Sequence, residues 1–445
     1  MKDLKLQNFR CFSEQEISFR SGINLLVGDN ASGKTSILKA CKYVLSAFFA
    51  GYSDENTKWS NPDVDDFREV IVDDIVMPEQ PINLHFNIGD VIEYPERLHR
   101  VQNSTDSETH YDFTLVKNSK KSSRSLTTGI KGYKEYSSFL KGHFFTEAGQ
   151  QMSLPLFASF STEDIHSTRK INAGKFKSYT HKPSFGYYEC LDGEGFFTYW
   201  IKRLLILQEG RENHPEITIV RRALQRALGE EGCNIIRDIE IRPIKKQVYF
   251  IFVDGREVEA DFLSDGYRRL VNIVIDLAFR CALLNRGIYG EESCDRTTGT
   301  VLIDEIDLHL HPTLQSTVLK GLRVAFPNLQ FIVSSHAPMV MSGVESNEEN
   351  AVYKLDYSNG AYRVDEIVTY GMDLSSISEI ILEQAPRNIE TENKLNRLFD
   401  LIDDDKKEEA WNLLKDMRNG AEKNLPELIE AEALLNFEIR TDEIN

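Results

Sequence analysis

No stretch of this chain approaches the roughly eighteen uninterrupted apolar residues that a bilayer-spanning helix needs. Even Leu270 to Leu284 is broken by Asn272, Asp276 and Arg280, so no membrane-integral architecture is expected. The opening residues, MKDLKLQNFRCFSEQEISFR, are polar at every second or third position, with no apolar h-region and no cleavage site, which sets the expectation of a cytoplasmic location. The six cysteines (Cys11, Cys41, Cys190, Cys233, Cys281, Cys294) are scattered without a C-x-x-C pair, so reduced, buried thiols are expected rather than a disulfide framework. Positive charge is short as well: 52 Lys and Arg stand against 70 Asp and Glu, a net charge of −18. The molecule as a whole therefore repels nucleic-acid phosphates and anionic lipid, and any DNA contact has to be a local basic patch. Internal repeats and sustained heptads are also missing.

What is present suffices for a large core. The 445 residues correspond to about three domain-sized units, and 41% hydrophobic with 27% charged residues excludes a collagen-like or wholly disordered chain. Residues 4–12 and 16–27 read as two strands, the second ending in the mostly apolar run Ile23 to Val27. A glycine-bearing turn follows, and from Lys34 the apolar residues Ile37, Leu38, Cys41, Val44, Leu45 and Phe48 recur at helical spacing. Residues 50–145 are hydrophilic with short alternating pieces at Ile82 to Ile88 and Tyr111 to Val116, predicting an antiparallel sheet lobe with a mobile loop in the Ser/Lys-rich stretch 117–138. Lys117 to Arg124 reads as a solvated loop rather than a DNA grip. Residues 152–160 read as an apolar strand, 161–180 as a loop, and 195–229 as helices rich in Leu, Ile and Arg. Residues 235–262 read as a hairpin turning at Asp254-Gly255, and Ser264 to Arg286 as an amphipathic helix. Beyond these come strand 300–304, helix 312–326 and strand Leu329 to Val333, an alternation that predicts an α/β unit with a parallel sheet. Past about residue 372, and through most of the chain after His336, the pattern is helical, with breaks at Pro386 and Pro426.

The chemistry concentrates in few places. Gly28-Asp29-Asn30-Ala31-Ser32-Gly33-Lys34-Thr35 matches G-x-x-x-x-G-K-[ST] between a strand and a helix. Gly28 and Gly33 let successive backbone N–H groups curl around phosphate oxygens at the positive end of the helix. Lys34 is expected to bridge the β and γ phosphates of ATP and Thr35 to place its hydroxyl on Mg²⁺. Asn30, Ser32, Ser36 and Arg10 are further expected nucleotide contacts. Far downstream, Thr300-Val301-Leu302-Ile303-Asp304-Glu305 is a buried strand ending in two acids. Asp304 is expected to orient the metal's water shell and Glu305 to polarise the attacking water. His336, on the turn after the next apolar strand, is placed to hydrogen-bond the γ-phosphate.

Leu263-Ser264-Asp265-Gly266 resembles the L-S-x-G signature of the ATP-binding-cassette class. The resemblance implies that Ser264 and Gly266 contact the γ-phosphate of a nucleotide held by the Walker A loop of another subunit, with Walker A, signature, Walker B and histidine switch in that order in one chain. Ile306 to Pro312 lies where this class carries its D-loop, so His309 and His311 are expected at an interface rather than on a metal. For the class's glutamine, Gln150 and Gln151 are the nearest candidates. Leu6-Gln7-Asn8-Phe9-Arg10-Cys11-Phe12, the D-E-x-x-L-H-x-H-P run from Asp304 to Pro312 and the S-S-H-x-P turn resemble the RecF, SMC and OLD group rather than transporters. The missing heptads exclude SMC arms, and the helical tail after His336 leaves no room for an OLD-type Toprim domain. Leu154 to Phe160, Phe185 to Asp192, the Leu-Ser-Asp-Gly-Tyr-Arg form of the signature and the tail from Thr369-Tyr370-Gly371 through Glu408-Glu409-Ala410 to Leu425-Pro426-Glu427-Leu428 are similar to the PtuA family, the ATPases of Septu and related retron anti-phage systems. Phe157-Ala158-Ser159-Phe160-Ser161 departs from it, being less aromatic and lacking glycine.

The expected architecture is α/β: an ABC-type ATPase head with a parallel-sheet P-loop core, an antiparallel β lobe, a helical insertion and a C-terminal helical region. The expected division is 1–160 (first half of the head), 161–234 (loop and helical insertion), 235–370 (second half) and 371–445 (helical region). The family resemblance implies a Mg²⁺-dependent ATPase that dimerises or oligomerises around ATP and regulates an HNH nuclease of the PtuB type, in retron-linked members alongside a reverse transcriptase and its RNA/DNA. No nuclease is expected in this chain, because its middle carries no acid cluster with metal spacing. The alternative is a RecF-like DNA clamp, which needs a basic surface drawn from Arg221, Arg222, Arg226, Lys245 and Lys246.

Overall fold

The computed structural model describes the chain except residues 90–111, 147–148, 163–181, 193–195, 211–213, 359, 383–387, 405, 421 and 443–445. The predicted loop 161–180 thus lies almost wholly outside the described residues, as does Tyr111. Two compact units, Met1–Leu374 and Ser375–Asn445, make up the chain. Among the described residues no helix is long and apolar enough to cross a membrane.

The first unit is built on a six-stranded sheet in the order Leu156–Phe160, Gly299–Ile303, Leu329–Ser334, Ile23–Val27, Ala351–Ser358, Ala361–Ile367. The first five run parallel and the last antiparallel. Ile23–Val27, Gly299–Ile303 and Leu329–Ser334 are buried at every position, the pattern of strands covered on both faces. Register brings their C-terminal ends level: Phe160 lies opposite Ile303, Ile303 opposite Val333, and Ser334 opposite Leu26. The segments that leave this edge carry the motifs, as open α/β sheets place their sites.

The antiparallel lobe is a four-stranded sheet in the order Phe12–Ser18, Asp3–Phe9, Ile82–Asn87, Asp112–Lys117. Residues 4–27 therefore hold three strands where the apolar pattern suggested two. Strands Ile236–Arg242, Gln247–Phe252 and Glu257–Glu259 form the expected hairpin extended to three strands, with Gly255 at φ +88° in the turn. The insertion contributes helices Phe197–Gly210 and Pro215–Leu228.

Four further elements differ from the sequence expectation. The Ser/Lys-rich stretch ends in helix Lys131–His143, whose buried face of Tyr133, Tyr136, Ser137 and Leu140 packs around Phe48 and Phe113. The chain after His336 is not mostly helical at first, because Ala351–Ser358 and Ala361–Ile367 complete the sheet. The predicted helix 312–326 is two, Pro312–Gln315 and Val318–Ala325. Helix Asp265–Tyr289 is not amphipathic where it matters, since every residue from Arg269 to Ala282 is buried. Two of its polar residues pair with each other inside: Arg280 donates through Nε to Asp276 at 2.6 Å and through Nη1 to the Gly186 carbonyl at 2.7 Å, while Trp200 Nε1 donates to Asp276 at 2.7 Å.

The second unit contains helices Ile389–Asp403, Lys407–Asn419 and Glu427–Asp442 around Leu395, Leu398, Ala410, Leu414, Met417, Leu428, Ala431 and Leu435.

Candidate functional site

The loop Gly28–Thr35 leaves the central strand and enters helix Lys34–Ser46. Gly28 sits at φ +142°, and a Cβ there would lie 2.1 Å from the Leu355 carbonyl oxygen, so the neighbouring strand as well as phosphate access forbids a side chain. The helix begins with no side-chain cap and no acid in its first turn, which leaves its first amides to an anion. Lys34 Nζ folds over the loop and donates to the Gly28 carbonyl at 2.8 Å, the Asp29 carbonyl at 2.7 Å and Ser32 Oγ at 3.3 Å. Burial pushes its pKa down to about 8, against the opposing pull of Asp304 and Asp29. Asn30 is exposed, Ser32 and Ser36 are buried.

The acids meet this loop directly. Thr35 Oγ1 lies 3.2 Å from Asp304 Oδ2. Ser334 Oγ donates to Asp304 Oδ1 at 2.5 Å and accepts from the Glu305 amide at 2.8 Å. Asp304 follows its strand with its own amide on the Phe160 carbonyl at 2.9 Å. Glu305 adopts φ +49°, a left-handed conformation that side-chain-bearing residues avoid unless held. Ser335 donates through Oγ to Asp307 at 2.6 Å and through its amide to the Leu26 carbonyl at 3.1 Å, and half-buried His336 follows it at the same sheet edge.

Arg10, at φ +52° in the turn between the first two strands, reaches Ser36 Oγ at 3.5 Å and Asp66 at 3.5 Å. Asp66, fully buried, also accepts from Lys39 Nζ at 2.8 Å and Tyr43 OH at 2.7 Å. Burial and then this carboxylate push the Tyr43 phenol far up, keeping it a donor.

Ser264 is exposed at the tip of helix Asp265–Tyr289, and its hydroxyl makes no capping bond. Among the described residues no hydrogen bond joins Ser264 or Gly266 to Gly28–Thr35 of the same chain. Gly266 is buried, and a Cβ on it would lie 2.2 Å from the His309 carbonyl oxygen, so the helix tip presses on the segment after Glu305. One turn on, Arg269 donates to the carbonyls of Glu305 at 2.7 Å and Asp304 at 2.5 Å. His311 caps the following helix by accepting from Thr313 N through Nδ1.

Several expected contacts fall elsewhere. Gln150 donates to the Met152 and Leu284 carbonyls at 2.9 and 2.8 Å and lies against Gly287, and Gln151 is exposed. Leu284 is about 22 Å along the helix from Arg269 at 1.5 Å per residue, so Gln150 is tied to the wrong end to serve the acids. The proposed basic surface is largely neutralised: Arg221 pairs with Asp238 at 3.3 Å, and Arg222 at 3.1 Å and Arg226 both pair with Asp295. Lys245 and Lys246 are exposed. Sequence reasoning missed Ser334, Arg269 and Asp66. Ser334 stands inside the quoted S-S-H-x-P turn and Arg269 directly follows the quoted signature, where only their side-chain direction separates them from filler. Asp66 lies in an acidic run whose burial no local pattern reveals.

Thr35 with Asp304 offers a hydroxyl and a carboxylate, the hard oxygens that Mg²⁺ takes, and with the uncapped loop amides they fit a magnesium-bound triphosphate. Against known families, residues 3–227 match the model of an "AAA domain", and residues 151–342 match one described as "AAA domain, putative AbiEii toxin, Type IV TA system". The chain is similar to "Retron Vc95 probable ATPase" of Vibrio cholerae serotype O1 biovar El Tor, 23% identical over 406 residues covering 80% of this chain and 74% of the relative. It is similar to Septu protein PtuA of Bacillus thuringiensis, 22% identical over 429 residues covering 92% of each. Among solved structures, an SMC head bound to the C-winged helix domain of ScpA matches with a TM-score of 0.44 at 15% identity, over 82% of this chain and 97% of that one.

Proposed function

Because the chain belongs to the AAA-domain family, we propose that it hydrolyses Mg-ATP at the Gly28–Thr35 loop, closes head to head with a second copy around nucleotide, and thereby governs a separate nuclease in anti-phage defence. The coarse class is an ATPase of the ABC/SMC-like AAA kind whose relatives are named for retron and Septu systems. In the finer reading, Lys34 exchanges its loop carbonyls for the β and γ phosphates, and the loop amides with Asn30, Ser32, Ser36 and Arg10 hold the rest. Thr35 and Asp304 would hold Mg²⁺, which when bound draws charge from the phosphoryl oxygens. Glu305 accepts a proton from the attacking water, and His336 donates to the γ-phosphate. Ser264, with its hydroxyl uncommitted at the helix tip, and the Gly266 amide reach the nucleotide of the second copy. Occupancy then closes the pair, and hydrolysis relaxes it.

The observation that carries this reading is the 3.2 Å approach of Thr35 to Asp304, which joins two motifs from opposite ends of the unit. The kinship with retron and Septu proteins favours, as the governed partner, an HNH nuclease of the PtuB type, in retron-linked settings with a reverse transcriptase and its RNA/DNA, all in the cytoplasm, with no cutting by this chain.

The test is ATP turnover with mass measurement. Lys34→Ala and Glu305→Gln should each lower turnover at least about 100-fold. Glu305→Gln should remain in the heavier, ATP-closed form, and Ser264→Arg should not form it. Wild-type turnover in both site variants sinks the reading, and a mass indifferent to ATP sinks its dimeric part.

A further inference from the structure

Glu305 pays for its place with an unfavourable backbone, φ +49°. Such a conformation persists only where the surroundings over-determine it, and here two side chains do so from opposite sides. Ser334 Oγ takes the Glu305 amide at 2.8 Å. Arg269 takes the carbonyls on either side of the Glu305 amide–Cα unit, Asp304 O through Nη2 at 2.5 Å and Glu305 O through Nη1 at 2.7 Å. Arg269 is 2% exposed, so its guanidinium has no water to fall back on. A planar fork with two prongs suits two successive carbonyls, which a single ammonium cannot span equally.

We propose that Arg269 is a positioning residue for ATP hydrolysis: it locks Glu305 in the left-handed backbone and so fixes the direction in which the general-base carboxylate leaves the chain. Return of Glu305 to an ordinary negative φ swings its Cα–Cβ bond away without touching the phosphate loop. The inference rests on the reading of Glu305 as the base. It also ties that base to the helix whose tip is Ser264, since Gly266 presses on the His309 carbonyl and Arg269 holds the acids from the same first turns.

The test compares kcat and ATP dissociation constant for Arg269→Gln and Arg269→Lys, alone and combined with Glu305→Gln. Arg269→Gln should lower kcat about tenfold to hundredfold, the scale of a small misplacement of a catalytic group, with ATP affinity within about twofold of wild type. Arg269→Lys should recover part of the rate. In the Glu305→Gln background Arg269→Gln should cost nothing more, because it acts through the missing carboxylate. A wild-type kcat, a loss of kcat matched by a loss of affinity without recovery by lysine, or full additivity with Glu305→Gln overturns the proposal. Should Arg269→Gln not fold, Arg269→Lys decides: it should lower kcat with affinity kept, and a wild-type kcat overturns the proposal. An unaltered rate in Glu305→Gln alone refutes the base assignment instead, whatever the arginine variants do.

Discussion

Arg269 and the arginines of helix Pro215–Leu228 belong to the same unit and carry the same charge, yet they are used in opposite ways. Arg269 is buried and spends its donors on backbone carbonyls at the acids. Arg222 and Arg226 stand half in water and share the carboxylate of Asp295. A third use lies between them, on the same helix as Arg269: Arg280, fully inside, is neutralised by Asp276 one turn back. Counting basic residues therefore says little about whether a surface binds nucleic acid. What the comparison shows is the work of the partner: the carbonyls that Arg269 holds fix a backbone, whereas the carboxylate shared by Arg222 and Arg226 cancels charge.

The largest effect is expected in the core. Asp276→Ala leaves Arg280 and Trp200 Nε1 without their shared acceptor in a dry interior. Removing one partner of a buried pair costs about 3–5 kcal/mol, so urea unfolding should show a loss of that size. A loss below about 1 kcal/mol contradicts the view that this pair is desolvated and interdependent.

That pair also shows what the sequence could and could not convey. Leu270 to Leu284 with Asn272, Asp276 and Arg280 reads as a helix with one wet face, because a pattern records polarity but not the segments that cover it. The cover comes from Gly186, Tyr188 and Trp200, far away in the chain. By contrast the Gly28–Thr35 loop, Asp304-Glu305 and His336 are legible as neighbours, since each follows an apolar run and parallel strands deliver their ends to one edge. Strand Ala351–Ser358 escaped notice because Lys354, Asp356 and Tyr357 break the apolar run toward its exposed end, although its Leu355 carbonyl is what Gly28 must clear. Helix Lys131–His143 was hidden by its Lys- and Ser-rich outer face, while Tyr133, Tyr136 and Leu140 at spacings of three and four were there to be counted.

Lys34 sharpens the contrast from the other side, as a cation held by carbonyls whose charge is meant to move to a ligand. Its pKa of about 8 lies below the ordinary lysine value through burial. In the ligand-free fold the unfolded chain therefore holds this proton more firmly, so stability from this group rises as pH climbs from about 8 toward 10.5. A phosphate partner favours the ammonium. ATP binding above about pH 8 should accordingly take up a proton and weaken as pH rises. Calorimetry at about pH 8.5 in two buffers of different ionisation heat should give different apparent enthalpies for the wild type and equal ones for Lys34→Arg. Equal heats in the wild type would falsify the lowered pKa.

The smallest effect is expected where the cations are already spent. Asp295→Ala releases Arg222 and Arg226, whose side chains are 48% and 27% exposed. Water takes over the lost contacts, so stability should change by no more than about 1 kcal/mol. The charge, however, is no longer cancelled. Duplex DNA titrated into the variant should bind more tightly than into wild type at low salt, and the gain should vanish as salt rises past the range where phosphate contacts survive. If the wild type already binds duplex DNA with a steep salt slope that Asp295→Ala leaves unaltered, these arginines are irrelevant to it and the DNA-facing surface must be sought around exposed Lys245 and Lys246. If instead binding appears only in the variant, Asp295 is what keeps this face of the insertion from acting as a clamp.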